Sequence, residues 1–193
     1  MATPRTVYLA GPDVFLPDAV EFGARKKALC ERYGFTGLYP LDEIAAPAPS
    51  DLEIYRACVA LLRRADFGIA HLTPFRGASA DVGTVYELGV LIALGKTVFG
   101  YTNDAADLLT RVRQIAPVTR DETTGVWRDG HGLMIEDFGN ADNLMIDAAL
   151  AAQGFPIIRI DAPPAERYRD LTGFEACLKR AVAHFGTDHG PNS

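Results

Sequence analysis

The sequence predicts a single doubly wound α/β domain over residues 1–193, an open parallel sheet with helices on both faces. Three observations predict it. Short apolar runs alternate along the chain with amphipathic stretches at helical spacing. The runs are apolar at nearly every position, as strands covered on both faces must be. And 193 residues bury enough surface for one such domain without a disulfide or a metal to staple it.

Thr6–Ala10 (TVYLA) is the first strand, stopped by Gly11-Pro12. Ala19 to Tyr33 follows as a helix, with Val20, Phe22, Ala28 and Leu29 interleaved with Glu21, Arg25, Lys26 and Glu31, and Gly34 ends it. Phe35–Tyr39 is the second strand, closed by Pro40. The Ala/Pro stretch Ala45–Ser50 is expected to be a mobile loop. Asp51 to Arg64 is helical, carrying Ile54, Cys58, Leu61 and Leu62 on one face. Phe67–Leu72 is the third strand, Val82–Leu94 a helix ended by Gly95, and Lys96–Tyr101 the fourth strand. After Asn103 the pattern loosens. Asp129-Gly130 between two apolar stretches of Val126–Ile135 predicts a β-hairpin, an insertion over residues 124–137. Phe155–Ile160 is the fifth strand and Gly173–Phe185 the closing helix. Right-handed crossovers then set five strands parallel.

Composition narrows the function. Lys+Arg 19 against Asp+Glu 25 leaves a net charge of −6, without the clustered positive charge that nucleic acid or an anionic membrane demands. Cys30, Cys58 and Cys177 are far apart and form neither a disulfide framework nor a zinc cluster with histidine. No apolar run is long enough to span a membrane, and no signal-peptide core follows Met1. The expectation is a reduced, cytoplasmic protein that uses no cofactor and no metal. GxGxxG and the phosphate-cradling GxxxxGK[ST] are absent, which removes dinucleotides and nucleoside triphosphates. His71, on a buried strand, reads as a core residue, and His184 and His189 as tail residues.

In open α/β sheets ligands sit beyond the carboxyl ends of the strands. Gly11–Pro17, Pro40–Glu43, Thr73–Asp81 and Tyr101–Asp104 are therefore the segments to search. Glu87 is the single charged residue of Val82–Leu94, a helix apolar nearly all round and so expected to be buried on most sides. A carboxylate there loses several kcal/mol of hydration unless partners replace it. Either it escapes to solvent along a polar seam with Thr84, or it is a nucleophile or general base held in a low-dielectric cleft. Asp81 stands immediately before the same helix, six residues ahead of Glu87; six helical steps turn roughly 600°, so the two carboxylates would not share a helix face. Asp81 suits an N-cap accepting from Gly83 or Thr84, and such a cap can also touch ligand hydroxyls. Tyr8 is the polar tip on the first strand. Its hydroxyl either bonds backbone or donates to a carboxylate in the cleft.

Taken together, Tyr8-Leu-Ala-Gly-Pro12, Pro40-Leu-Asp42, Ala65-Asp66, Thr73-Pro-Phe-Arg-Gly77, Ala80-Asp-Val-Gly-Thr-Val-Tyr-Glu-Leu-Gly89 and Asp142-Asn-Leu-Met145 resemble the nucleoside 2-deoxyribosyltransferase family. The motifs run in order from residue 8 to 145. The resemblance implies a flavodoxin-like domain that moves 2-deoxyribose from a 2′-deoxynucleoside to a free nucleobase, in nucleotide salvage. It implies Glu87 as nucleophile, Tyr8 as the group that orients it, and Asp81 as the holder of deoxyribose hydroxyls. Asn143 resembles an asparagine lent by a neighbouring subunit, so a homo-oligomer with shared sites is implied. Asp42 lies in the family's Pro-Leu loop near the base, and the Pro74–Gly77 segment is similar to that of purine-preferring members. Gly11, Asp13, Phe15 and Gly83 complete the candidate binding set. One residue departs: where many members place Asp or Asn facing the base, this chain has Cys58, and a thiol is a poor partner for a purine edge.

Two rival functions fit the same scaffold. A 2′-deoxynucleoside 5′-monophosphate N-glycosidase would use water as acceptor, but the Asp81 anion opposes a 5′-phosphate. A nucleoside-binding module without turnover would not need the buried Glu87.

Overall fold

The computed structural model describes residues 3–43 and 49–186. Most of the Ala45–Ser50 segment expected to be a mobile loop lies outside the described residues.

The strands are β1 (Thr6–Ala10), β2 (Thr36–Leu38), β3 (Phe67–His71), β4 (Val98–Thr102), β5 (Val118–Arg120), β6 (Trp127–Asp129), β7 (Met134–Ile135) and β8 (Ile158–Arg159). The helices are α1 (Ala19–Arg32), α2 (Asp51–Arg64), α3 (Val82–Ala93), α4 (Leu108–Ile115), α5 (Leu144–Ala152) and α6 (Thr172–Phe185). Five strands form one parallel sheet in the order β2-β1-β3-β4-β8. That is the flavodoxin-like order, in which the chain reverses direction of growth between β1 and β3 and opens a crevice at their carboxyl ends.

Alternation along each strand makes the two layers. Tyr8, Ala10, Ala70 and Leu72 face Leu61 and Leu62 of α2, Leu88 and Leu91 of α3, and Leu150 of α5. Val7, Leu9, Ile69, Phe99 and Tyr101 face Cys30 of α1 and Phe174, Cys177 and Leu178 of α6. Local chemistry starts the helices where the sheet needs them. Ser50 and Glu53 close a reciprocal capping box on α2. Gly68 lets α3 settle directly onto β3, since a Cβ there would run into Leu91.

The structure corrects several expectations, most of them after Asn103. The hairpin is two strands of a three-stranded antiparallel sheet, because Val118–Arg120 pairs along β6. Helices α4 and α5 carry no expectation from the sequence. The fifth parallel strand is reduced to Ile158–Arg159, since it pairs only with β4 and Pro156 has no N–H to extend the ladder. His184 belongs to α6 and packs edge-on against Phe155, with ring centres 5.0 Å apart, while His189 is outside the described residues. Helix α3 is not buried on most sides: Thr84, Leu88 and Leu91 face inward, but Val82 is 83% and Tyr86 51% exposed. Among the described residues no helix is long and apolar enough to cross a membrane.

Candidate active site

Tyr8 stands on β1, the strand at the reversal point, paired with Leu38 on one side and Gly68 on the other. Its ring is fully buried and its hydroxyl donates to Oε1 of Glu87, which projects from the second turn of α3. Of the two readings open for Tyr8, a bond to backbone or a bond to a carboxylate, the geometry takes the carboxylate. Glu87 is half-buried and does not run out along a seam with Thr84. Burial pushes the Glu87 carboxyl up from an ordinary 4.5 to about 7; the Tyr8 hydrogen bond pulls it down, and the charges of Asp81 and Asp13 push it up again. Burial, and then the charge of Glu87, holds the Tyr8 hydroxyl far above the usual phenol range, so it stays a donor. The thiol of Cys58 on α2 is pushed up from its ordinary value by burial, and then by the charge of Glu87.

Asp81 caps α3 as its spacing suggests. Its Oδ2 accepts from the Thr84 amide at 2.9 Å and the Thr84 hydroxyl at 3.0 Å. Its Oδ1 has no hydrogen bond among the described residues. Gly83 keeps that cap open, because a Cβ there would lie 3.1 Å from the Asp81 carboxylate. Asn143 caps α5: its Oδ1 accepts from Met145 at 3.0 Å and its Nδ2 donates to Glu136 at 2.8 Å, with the residue exposed at the surface.

The structure sets Asp13 apart from the other candidates. Its carboxylate is 0% exposed and accepts two hydrogen bonds from Lys26, at 3.0 and 3.1 Å. Burial opposes its ionisation, but Lys26 and His71 outweigh burial and hold it far below the usual carboxylate range. His71 is itself kept neutral by burial; its Nε2 lies 2.7 Å from the Thr73 hydroxyl and its Nδ1 3.4 Å from Asp13. Both Asp13 oxygens are thus engaged inside the protein. Gly11 serves this network: a Cβ there would come within 2.8 Å of the His71 Cβ. Asp42 is exposed but likewise engaged, by Lys27 at 2.6 Å and the Tyr39 amide at 3.0 Å. Phe15 is open, 55% exposed, and stacks on Phe75 with ring centres 5.2 Å apart.

Two residues without an expected role hold the site together. Arg111 of α4 is buried and donates to the carbonyls of Ala78 at 2.7 Å, Ala106 and Ala141. Buried Asp142 accepts from the amides of Ala80 and Asn143, each at 2.8 Å. The loop ending in Asp81 and the loop ending in Asn143 are thus tied by one buried arginine and one buried aspartate. A signal existed for Asp142, which stands in the Asp142–Met145 motif. None existed for Arg111, whose helix is itself invisible in the pattern.

Tyr8→Phe checks the central pair. Without the donor the Glu87 carboxyl rises above about 7, so the acid limb of the pH–rate profile should move to higher pH and the rate at pH 7 should fall roughly tenfold. An unmoved limb would mean that this hydrogen bond does not tune Glu87.

Comparison with known proteins follows the same outline. The sequence profile described as nucleoside 2-deoxyribosyltransferase matches residues 7–145. An uncharacterized protein of Schizosaccharomyces pombe is 32% identical over 199 residues, covering 95% of this chain and 91% of that one. Among solved structures, a 2-desoxiribosyltransferase from Leishmania mexicana superposes with a TM-score of 0.67 at 30% identity, covering 94% of this chain and 99% of its own. A conserved protein from Enterococcus faecalis shares the fold, with a TM-score of 0.54 at 15% identity over 92% of this chain and 99% of that one. The matched profile spans Tyr8, Asp81, Glu87 and Asn143 alike, and on that match the chain belongs to the nucleoside 2-deoxyribosyltransferase family.

Proposed function

We propose that this protein transfers 2-deoxyribose from a 2′-deoxynucleoside to a free nucleobase by a retaining double displacement. The observation that carries the reading is the Tyr8–Glu87 pair: a half-buried carboxylate with one oxygen held by a buried hydroxyl, at the strand ends where α/β sheets take ligands. With Oε1 held, Oε2 of Glu87 attacks C1′ of the nucleoside. The C1′–N bond breaks, its electron pair leaves with the base, and a C1′–O ester to Glu87 forms with inversion. A nitrogen of the second base then attacks C1′, the ester bond breaks, and Glu87 recovers its carboxylate as the configuration is restored. Lacking a 2′-hydroxyl, deoxyribose develops positive charge at C1′ more readily, so one carboxylate suffices.

Asp81 accepts from a sugar hydroxyl through its uncommitted Oδ1, and Phe15 supplies a stacking face for a purine. Asn143 reaches the sugar of a neighbouring subunit in a homo-oligomer. The exposed apolar side chains of α2 and α3 support that assembly: Leu52, Tyr55, Val82 and Tyr86 are all exposed, and the hydroxyls of Tyr55 and Tyr86 lie 3.3 Å apart. The role fits salvage of nucleosides in a cytoplasmic setting, without metal or cofactor. Asp81 disfavours a 5′-phosphate on the substrate, which argues against the monophosphate N-glycosidase alternative.

The deciding assay pairs deoxyinosine and thymidine as donors with a panel of free bases, run beside dIMP and dAMP. Transfer from the nucleoside, with a protein mass gain of one deoxyribosyl group when acceptor is withheld, is the expected result. Base release from monophosphates alone would make the protein a hydrolase, and tight binding without any adduct would make it a module.

A further inference from the structure

The turn from β3 into α3 holds a side chain that the fold itself does not use. Arg76 is the one described residue other than glycine with a left-handed backbone, at φ 56°. L residues avoid that conformation, and where it persists at a crevice it repays a search for function. The turn is clamped on both flanks: the Phe75 amide donates to the Ser79 carbonyl at 2.9 Å, and Tyr168 donates to the Pro74 carbonyl at 2.6 Å. The ion pairs among the described residues take Arg64, Arg111, Arg159, Arg167 and Arg169, but not Arg76. Its guanidinium rests instead over the aromatic pair, 4.6 Å from the Phe75 ring centre and 5.2 Å from that of Phe15.

The stack explains what the guanidinium is placed for. Phe15 and Phe75 lie 12° from parallel, and Phe15 remains 55% exposed beside its partner, within reach of a flat ligand. Phe15 follows β1 and Phe75 follows β3, the adjacent strands that bound the crevice. A planar ring laid on Phe15 would turn an edge toward a rigid fork of N–H donors without a carboxylate partner. An edge bearing two adjacent acceptors fits that fork, and an edge with an amino group opposes it.

We propose that Phe15 and Arg76 form a base-reading subsite selective for 6-oxopurines. The purine stacks on Phe15, and Arg76 donates to its O6 and N7. Adenine presents N7 but turns its 6-amino hydrogens toward the same donors, so it loses one bond and gains a clash of like dipoles. The inference rests on the reading that nucleobases are substrates.

Calorimetric binding of free hypoxanthine and free adenine to the wild type, R76M, R76K and F15A tests it without requiring turnover. The wild type should bind hypoxanthine roughly ten- to a hundredfold more tightly than adenine. R76M should bring the two within about threefold, R76K should restore part of the gap, and F15A should weaken both bases alike. Absence of selectivity in the wild type, or R76M weakening both bases by one factor, overturns the subsite. Arg76-dependent preference for dIMP over deoxyinosine overturns it too, because the guanidinium would then be reading phosphate. Selective binding without transfer would refute the transferase reading and leave the subsite standing; transfer without selectivity would refute the subsite alone.

Discussion

Glu87→Gln should abolish deoxyribosyl transfer, lowering the rate by roughly four orders of magnitude or more, and should make the protein more stable at pH 8. The first effect follows from removing the nucleophile, since an amide oxygen cannot form or release the C1′ ester. The second follows from linkage. In the fold the Glu87 carboxyl is raised from 4.5 to about 7 by burial, so between those values the native state binds more proton than the unfolded chain. The contribution of Glu87 to wild-type stability therefore falls as pH climbs from about 4.5 to about 7, by on the order of 3 kcal/mol in all. Gln does not titrate and avoids that loss. Urea unfolding at pH 5 and pH 8 should show the variant's advantage appearing only at the higher pH. Surviving transfer would remove Glu87 from the mechanism, and an advantage flat with pH would mean that its charge is not desolvated.

Asp13→Ala should destabilise the protein by about 3–5 kcal/mol, because it leaves Lys26 charged, buried and unpaired. Both members of the pair are essentially without solvent exposure, and Lys26 sits over the rings of Tyr39 and Phe174, at 5.8 and 5.1 Å from their centres. Those rings do not replace a carboxylate. His71 loses an acceptor in the same step. Chemical denaturation measures the loss directly, and Lys26→Met with Asp13→Ala should recover part of it, since the pair is then removed whole. A ligand-binding aspartate would behave in the opposite way, raising KM while unfolding stayed within about 1 kcal/mol of wild type.

Most of the sheet was legible because buried parallel strands have little choice of composition. Thr6–Ala10, Phe67–Leu72 and Lys96–Tyr101 read as strands, and β1, β3 and β4 lie over Thr6–Ala10, Phe67–His71 and Val98–Thr102. Helix α2 lies over Asp51–Arg64, the residues that its periodicity specifies. Legibility ended with periodicity. In α4 the apolar face is interrupted by Arg111, whose guanidinium is buried on the carbonyls of distant loops, so the residue that most disturbs the pattern is the one the tertiary structure consumes.

The sequence by itself determined that a lone carboxylate would sit on an apolar helix at the ligand end of a parallel sheet, with Asp81 six residues earlier as the cap of that helix. Spacing and composition suffice for that, because burial of apolar residues and capping of amides are local demands. Only the tertiary structure decided which partner each charge would meet. It gave Glu87 the hydroxyl of Tyr8 across 79 positions of chain and gave Asp13 the ammonium of Lys26. The two carboxylates are alike in the sequence and opposite in the fold. A buried charge is settled by the groups that replace its water, and those groups arrive from strands and helices that only packing brings together.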